Sequence, residues 1–271
     1  MKSTPHAHTT YVDGINKPLE MAEAAILRGF DSLGFSEHGK QDFDTRYCLS
    51  EESEARYLEE VGALKARFAG TLPIHVGVER DEYGLSDRKK HEYVIGSKHY
   101  FFARGQHYAV DGRIEDILLC QSTLFSGDWI QFAARYFSEL ADYVSDFRPD
   151  IIGHFDIVTK YNEGGARFDE ADARYLDAGF LALDRMKKSG ALLEINTGAI
   201  ARGYRSAPYP SLRFLAYWHD IGGKAILGSD CHDARKLDCA FDQAIALAKA
   251  AGYDHLYALG REKALFERYS I

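Results

Sequence analysis

The order of apolar and amphipathic segments is the feature that most limits which folds this chain can adopt. Short apolar runs alternate with longer segments whose apolar residues recur at helical spacing, and the alternation repeats about seven times along the chain. The predicted strands cover residues 2–5, 32–35, 72–78, 93–97, 150–153, 192–195 and 224–227. Strands that alternate with helices run parallel and are covered by those helices, which predicts an α/β protein with an open doubly wound sheet or a closed barrel.

Two of the predicted helices carry clear end signals. Asn16 is expected to cap a helix with Pro18 in its first turn and Gly29 at its end. Ser50 is expected to cap a second helix that ends at Gly70. Further helices are predicted over residues 126–147, 169–189, 211–221, 235–251 and 262–269, and an irregular loop over 100–121. No repeat, low-complexity tract or linker interrupts this pattern, so residues 1–271 are predicted to form a single domain.

Composition narrows the range of partners. A formal net charge of −8 argues against a nucleic-acid partner, because nucleic-acid binders usually present a basic face. The four cysteines form no Cys-x-x-Cys pair and suggest no disulfide framework. The N-terminal residues lack the apolar stretch of a signal peptide, and no apolar run approaches membrane-spanning length. These features predict a cytoplasmic protein without a membrane partner, and they leave its oligomeric state open.

Histidines and acids fall directly after the predicted strands. They are His6 and His8 after the first strand, Glu37 and His38 after the second, Glu79 at the end of the third, His99 after the fourth, His154 after the fifth, and Asp230 and His232 after the seventh. In barrels and open α/β sheets, the carboxyl ends of parallel strands form the edge where ligands bind. We therefore expect these side chains to meet in one pocket.

Spacing and residue type indicate a metal site in that pocket. In an extended chain residues i and i+2 point the same way, so His6 and His8 share a face, as do Asp230 and His232. Imidazole with carboxylate, and no thiolate, suits Zn²⁺, Mn²⁺ or Fe²⁺. One such pair alone has little weight, but six of the eleven histidines at strand ends favour a metal-dependent enzyme. A non-catalytic metal-binding domain and a plain α/β scaffold remain the alternatives outside enzymes.

Taken together, these motifs resemble the PHP (polymerase and histidinol phosphatase) superfamily, and within it the monofunctional histidinol-phosphate phosphatases. The matching motifs are His6-x-His8, Asp13-Gly14, Glu37-His38, Gly77-Val78-Glu79, His99, Gly153-His154-x-Asp156, Ser229-Asp230-x-His232, Lys160-Tyr161-Asn162 and Arg202-Gly203. The resemblance spans residue 6 to about residue 233. It implies a distorted TIM-like barrel of seven βα units formed by a single PHP domain, which agrees with the strand count.

The resemblance also implies how three divalent ions would be held. The implied groups are His6, His8, Glu79 and Asp230 for the first ion; Glu79, His99 and His154 for the second; and Asp13, His38 and His232 for the third. Glu79 would bridge the first two ions. The role of Asp13, which lies in a loop, depends on the resemblance alone.

The implied activity is hydrolysis of L-histidinol phosphate to L-histidinol and phosphate in histidine biosynthesis. Glu79, Asp230 and Arg202 are the expected catalytic residues, and Arg202, Arg205 and Lys160 are expected to bind the phosphate substrate. Three divalent ions opposed by three carboxylates would leave the site at about +3, which attracts a phosphate dianion.

Three points of the chemistry remain open at this stage. Glu37 and Asp156 are candidates for the general acid or for orienting an imidazole. The aromatic candidates for the substrate pocket are Tyr11, Tyr83, Tyr100, Phe102, Tyr161 and Tyr204. Another small phosphate ester, such as a nucleotide or a sugar phosphate, is the alternative substrate.

Overall fold

The computed structural model describes residues 1–271. Its strands are β1 (Ser3–Thr4), β2 (Ser32–Phe35), β3 (Ile74–Asp81), β4 (Tyr93–Ser97), β5 (Tyr100–Ala103), β6 (Gln106–Ala109), β7 (Ile151–Ile152), β8 (Leu192–Asn196), β9 (Ala225–Gly228), β10 (His255–Leu259) and β11 (Phe266–Ser270). Its α-helices are α1 (Pro18–Leu27), α2 (Glu51–Arg67), α3 (Ile114–Phe125), α4 (Trp129–Phe147), α5 (Ala173–Met186), α6 (Gly198–Arg202), α7 (Leu212–Asp220) and α8 (Phe241–Ala250). None of these helices combines the length and the apolarity needed to cross a membrane.

Seven parallel strands form the central sheet in the order β1-β2-β3-β4-β7-β8-β9. An isolated parallel bridge between Ala7 and Cys231 joins the two ends of this sheet, and the His8 amide donates to the Cys231 carbonyl at 2.8 Å. The ring of strands is therefore closed, as the resemblance to the PHP superfamily implies, and the open doubly wound sheet that the sequence pattern also allowed is excluded. Because β1 has only two residues, it cannot pair along the full height of β9. At the opposite end of the barrel β10 pairs with β9, and the Ser32 hydroxyl of β2 donates to the Leu259 carbonyl of β10 at 2.8 Å.

The inside of the barrel changes from apolar to polar along the strands. Its base is filled by six buried residues from five strands: Tyr93, Ile95, Ile151, Leu192, Ile226 and Leu259. Because alternate residues of a strand face the same side, the next inward positions carry polar groups such as Ser97 of β4 and Glu194 of β8. Gly228 of β9 leaves the space that Glu194 occupies, since a Cβ there would lie 1.9 Å from the Glu194 carboxylate. A second core of 56 buried residues packs the helices against the outside of the sheet.

Several of the predicted elements are confirmed and others are wrong. Ser50 caps α2 and accepts a hydrogen bond from the Ser53 amide, as predicted. The residue that caps α1 is Lys17 rather than Asn16, whose side-chain oxygen instead accepts from the Ala234 amide at 2.9 Å. The predicted end of α2 at Gly70 is also wrong, because the helix ends at Arg67.

The largest errors lie in two segments with weak local signals. The predicted loop over 100–121 holds the antiparallel hairpin β5–β6 and most of α3. The predicted helix over 262–269 is wrong, because β11 pairs antiparallel with β10 along five residues. Pairing with a distant strand is a tertiary interaction that overrides the local helical preference of such a short segment.

Candidate metal centre

The structure brings all nine predicted ligand side chains to the C-terminal end of the barrel. Each lies just after a strand, except Glu79 within β3 and Asp13 in the loop after β1. They fall into three neighbouring groups whose nitrogen and oxygen atoms lie within a few ångströms of each other. Closure of the ring produces this convergence, because it turns the strand ends toward one axis.

The first group surrounds a point between β1, β3 and β9. The Nε2 atom of His6 lies 3.4 Å from Oε2 of Glu79 and 3.8 Å from Oδ1 of Asp230. The Nε2 atom of His8 lies 3.6 Å and 3.5 Å from the same two oxygens. Asp230 has a left-handed φ of 45°, a costly conformation for a non-glycine residue that directs its carboxylate toward these imidazoles.

The second group uses the other oxygen of Glu79. Oε1 of this carboxylate lies 2.9 Å from Nε2 of His154 and 3.3 Å from Nε2 of His99, and the two imidazole nitrogens are 3.4 Å apart. The Ser97 hydroxyl donates to the same oxygen at 2.7 Å. Glu79 thus presents one oxygen to each of two groups, which is the arrangement of a bridging carboxylate.

The third group lies toward the rim of the barrel. Oδ2 of Asp13 lies 3.6 Å from Nε2 of His38 and 3.2 Å from Nε2 of His232. His8 also lies close enough to share this group, since its Nδ1 is 3.8 Å from Oδ1 of Asp13. Nδ1 of His38 is 2.9 Å from Oε2 of Glu79, so His38 connects the third group to the other two.

Several buried polar atoms of these groups have no hydrogen-bond partner. They are Nε2 of His6, both ring nitrogens of His8, Oδ1 of Asp13, Oε2 of Glu79 and Nδ1 of His154. Buried polar groups are almost always satisfied, so a cluster of unpartnered nitrogen and oxygen acceptors requires an additional binding partner. Divalent cations bind such a set of imidazoles and carboxylates, and the residues present therefore fit a metal centre.

Electrostatic interactions keep the carboxylates ionised and at least one imidazole neutral. Burial alone would raise the pKa of Glu79, but the imidazoles of His38 and His6 hold it well below its usual range. Burial and the neighbouring His232 and His38 lower the pKa of His8 to about 3. Burial opposes protonation of His99, yet Glu79 raises its pKa to about 10. The cluster therefore favours positive charge between its carboxylates.

Sequence reasoning missed two carboxylates that orient the imidazoles. Glu194, fully buried in β8, accepts from Nδ1 of His6 at 2.7 Å and from the His154 amide at 2.9 Å. With Glu194 as the acceptor, Nδ1 of His6 carries the proton and Nε2 presents its lone pair to the centre. Asp81 accepts from the His99 amide at 2.7 Å and lies 3.4 Å from Nδ1 of the same ring. A charged residue within a buried apolar strand, as at Glu194, was the available signal.

A cavity of about 340 Å³ opens from the candidate metal centre toward solvent, and a smaller cavity of about 170 Å³ lies directly over the candidate ligands. Besides candidate ligands, the two cavities share three lining residues: Asp111, Lys160 and Tyr204. Lys160 donates to the Asp111 carbonyl, and its ammonium lies 4.8 Å from the centre of the Tyr204 ring. Of the six aromatic candidates, only Tyr100, Tyr161 and Tyr204 line either cavity.

The two predicted arginines occupy different environments. Arg202 lines the smaller cavity and donates to Oδ2 of Asp230 at 2.7 Å, beside His232. Arg205 lies outside the lining of both cavities, and its guanidinium is held by Glu170 at 2.7 Å and by the Thr159 carbonyl at 3.0 Å. The structure therefore does not bring Arg205 to the site, because a nearby carboxylate neutralises it.

The two acids considered as proton donors also lie away from the cavities. Burial raises the pKa of Glu37 to about 8, and this carboxyl accepts from the amide and the hydroxyl of Thr9. Burial likewise raises the pKa of Asp156 to about 7, and Asp156 accepts from the Ser211 amide at 2.9 Å. Neither carboxyl contacts an imidazole or lines a cavity, so both serve to hold loops in place.

Known proteins share both the sequence and the fold. A histidinol-phosphatase from Bacillus subtilis is 25% identical over 264 residues, which cover 89% of this chain and 97% of that protein. The crystal structure of histidinol phosphate phosphatase from Lactococcus lactis, complexed with zinc, L-histidinol and phosphate, superposes with a TM-score of 0.72 at 22% identity and covers 96% of this chain and 97% of that one. A crystal structure from Listeria monocytogenes gives a TM-score of 0.77 at 19% identity, over 89% of this chain and 99% of that one.

Both crystal structures share the barrel described above, and neither is similar enough in sequence to carry more than the fold. The family model of the PHP domain matches residues 5–198, which is well over half of the chain. This match includes seven of the nine candidate ligands, and Asp230 and His232 lie beyond it. The chain belongs to the PHP domain family.

Proposed function

We propose that this protein is a metal-dependent histidinol-phosphate phosphatase, which hydrolyses L-histidinol phosphate to L-histidinol and phosphate in histidine biosynthesis. The observation that carries the proposal is the bridging position of Glu79, whose two oxygens face two groups of imidazoles. The relative from Bacillus subtilis, described as a histidinol-phosphatase, supports the choice of substrate.

Three divalent ions, as Zn²⁺, Mn²⁺ or Fe²⁺, complete the proposed enzyme. The first would be held by His6, His8, Glu79 and Asp230, the second by Glu79, His99 and His154, and the third by Asp13, His38 and His232. The crystal structure from Lactococcus lactis was solved in complex with zinc, which supports zinc as one of the candidate ions. Bound ions of this kind supply Lewis acidity and a water molecule whose pKa is lowered toward about 7.

The protein's own residues bind and orient the substrate. Arg202 and Lys160 line the smaller cavity and are the cations placed to bind phosphate oxygens. The Arg202 guanidinium also fixes Asp230, so its role combines positioning of a ligand with charge stabilisation. Glu194 holds His6 in the tautomer that exposes Nε2. Arg205 is left out of this proposal because it lines neither cavity and its guanidinium is held by Glu170.

The larger cavity suits the remainder of the substrate. Histidinol phosphate carries an ammonium group and an imidazole, which favour acidic and aromatic surroundings. The cavity wall offers the carboxylates of Asp44, Asp111 and Asp116 and the rings of Tyr100 and Tyr161. Its volume of about 340 Å³ lies at the lower end of the range for small-molecule sites.

The proposed ligands span residues 6–232, so no short segment contains the complete site. We therefore infer that residues 1–271 act as one catalytic domain. The proposed partner is a small phosphate ester, without nucleic acid or membrane, and the proposed location is the cytoplasm, where amino-acid biosynthesis takes place.

Release of inorganic phosphate from L-histidinol phosphate tests the proposal. The purified protein is assayed with Zn²⁺, Mn²⁺ or Fe²⁺ beside a panel of nucleotides, sugar phosphates and an aryl phosphate, and elemental analysis gives the metal content. We expect a kcat/KM on histidinol phosphate at least about 100-fold above the other substrates. Equal activity on the aryl phosphate would leave a phosphoesterase of different specificity, the alternative function. Negligible metal content together with no phosphate release would indicate a binding or scaffold protein.

A further inference from the structure

A lysine lies fully buried next to the proposed second metal group. Lys98 is 0% exposed and precedes His99 in the turn between β4 and β5. Its ammonium lies 2.8 Å from Oε2 of Glu139 in α4, contacts the Glu82 carboxylate, and donates to the Tyr100 carbonyl at 2.8 Å. The ammonium thus donates two hydrogen bonds, to the Glu82 carboxylate and to the Tyr100 carbonyl, and makes one further ionic contact with Glu139.

These contacts make Lys98 part of a partly buried ionic network. Glu139 also pairs with Arg135 at 2.6 Å, and Arg135 donates to the Phe102 carbonyl at 3.2 Å. Two cations and two carboxylates thus connect α4 with the backbone of β5. Such a network adds little net stability, because desolvation of the charges and screening by solvent offset their attraction. Its directional bonds instead restrict the geometry of the segments that it joins.

The restricted segments are those that hold His99. The turn after β3 is already linked to this region, because Asp81 accepts from the His99 amide and the Glu82 amide donates to the Ser97 carbonyl at 3.1 Å. The contact between Glu82 and Lys98 links the same two turns a second time. The bond to the Tyr100 carbonyl closes the turn on the far side of His99. His99 therefore lies between Lys98 and Tyr100, and the bond from the Lys98 ammonium to the Tyr100 carbonyl holds the backbone on both sides of His99.

We propose that Lys98 is a positioning residue for His99, which holds this imidazole where the second metal ion binds. The inference rests on the proposed function, because it requires His99 to be a metal ligand. Lys98 lines neither cavity, so it does not touch the substrate or the reacting atoms. Lys98 acts through the backbone of His99. A metal site needs its ligands placed to within about 0.5 Å, and directional ionic contacts hold a turn more precisely than an apolar side chain would.

The test separates the position of His99 from the stability of the fold. Lys98→Met removes the ammonium and leaves Glu82 without a cation, whereas Glu139 keeps its contact with Arg135. The triple variant Lys98→Met/Glu82→Gln/Glu139→Gln removes the ammonium and both carboxylates that it contacts, and Arg135 keeps its hydrogen bond to the Phe102 carbonyl. Lys98→Arg retains the charge and the carboxylate contacts. Lys90→Met is the matched control, since Lys90 pairs with the buried Glu54 at 2.7 Å, away from the metal centre.

Each variant and the wild type are titrated with Co²⁺ alone, and the number of ions and their dissociation constants are measured by calorimetry and by visible absorption. Urea unfolding in the presence of a chelator gives the stability of the same proteins. We expect both variants that lack the ammonium to bind one of the three ions about 10–100-fold more weakly, the usual effect of losing an outer contact to a metal ligand. Lys98→Arg should recover most of this loss, and Lys90→Met should bind Co²⁺ as the wild type does.

The stability of the triple variant decides between positioning and a structural role. Recovery of stability without recovery of Co²⁺ affinity would support positioning. Recovery of both would show that Lys98 acts only through the fold and would overturn the inference. Unchanged Co²⁺ binding in the variants, with a wild type that binds three ions, would also overturn it and leave the proposed function intact. A wild type that binds no Co²⁺ would overturn the proposed function first, and this inference with it.

Discussion

Replacement of Glu79 by glutamine tests the bridging arrangement most directly. The substitution keeps the shape of the side chain and removes one negative charge from a position that is 1% exposed. In the structure Oε1 of Glu79 lies 2.9 Å from Nε2 of His154, and Oε2 lies 3.4 Å from Nε2 of His6. An ion bound in either group would therefore lie within bonding distance of this carboxylate.

The expected loss follows from the charge alone. A unit charge about 4 Å from another, at an effective dielectric constant of about 20, contributes about 4 kcal/mol. This energy counts a single unit of positive charge on a single ion. It is therefore a lower bound on the lost attraction, because Glu79 faces two groups that would each hold an ion. A loss of about 4 kcal/mol corresponds to about a thousandfold in kcat/KM. The free energy of unfolding in a chelator should fall by only about 1–3 kcal/mol, the usual range for a buried substitution.

Phosphate release from L-histidinol phosphate, elemental analysis and urea unfolding in a chelator are compared for the wild type, Glu79→Gln and a matched control. Glu54→Gln is that control, because Glu54 is 2% exposed and pairs with Lys90 rather than with an imidazole of the centre. The control should lose stability and keep its activity within about twofold of the wild type. A Glu79→Gln variant with activity within tenfold of the wild type and equal metal content would refute the bridging role of this carboxylate.

Three further predictions concern the second carboxylate, the metals and the core. Glu194→Gln should weaken Zn²⁺ binding about 10–100-fold in a calorimetric titration, because Nδ1 of His6 loses its carboxylate partner. Unchanged affinity would contradict the role of Glu194 in orienting His6. Chelation should lower the thermal unfolding midpoint, and Mn²⁺ at 100 times its dissociation constant should restore about 2.7 kcal/mol per ion, whereas a midpoint independent of metal would exclude structural binding. Phe214→Ala should cost about 3–5 kcal/mol in urea unfolding, since Phe214 is fully buried against Phe137 and Phe155; a loss below about 1 kcal/mol would contradict this packing.

Local sequence patterns were sufficient for the seven parallel strands and for every candidate ligand except Asp13, which only the family resemblance indicated. The predicted bounds of β2 and β4 agree with the observed ones. Both strands are buried on both faces and contain few polar residues, so each appears in the sequence as a short apolar run. The histidines after the strands were conspicuous as a set, because one histidine or one His-x-His pair alone has little weight whereas six at strand ends favour a metal site. The hairpin β5–β6 and the strand β11 were missed, since each depends on pairing with a partner strand rather than on its own composition.

The roles of two charged residues, Arg205 and Glu194, likewise depend on partners that are distant in the sequence. Arg205 was expected to bind the phosphate substrate, but Glu170, 35 residues away in the chain, holds its guanidinium, and Arg205 lines neither cavity. Glu194 stood in an apolar run and was recognisable as unusual, yet its contact with His6 spans 188 residues. Contacts between residues so far apart depend on how the strands are ordered around the barrel, which no local pattern encodes.

The strand–helix alternation is encoded in residue order alone, and so are the positions after the strands where imidazoles and carboxylates stand. Those features follow from periodicity and burial within short segments. Three other features exist only in the folded barrel: one carboxylate presents its two oxygens to two groups of histidines, Arg205 is withdrawn, and Lys98 supports the turn of His99. These are distances across a closed ring of strands, and they are set by ring closure and strand register, which arise only when all the strands pack together.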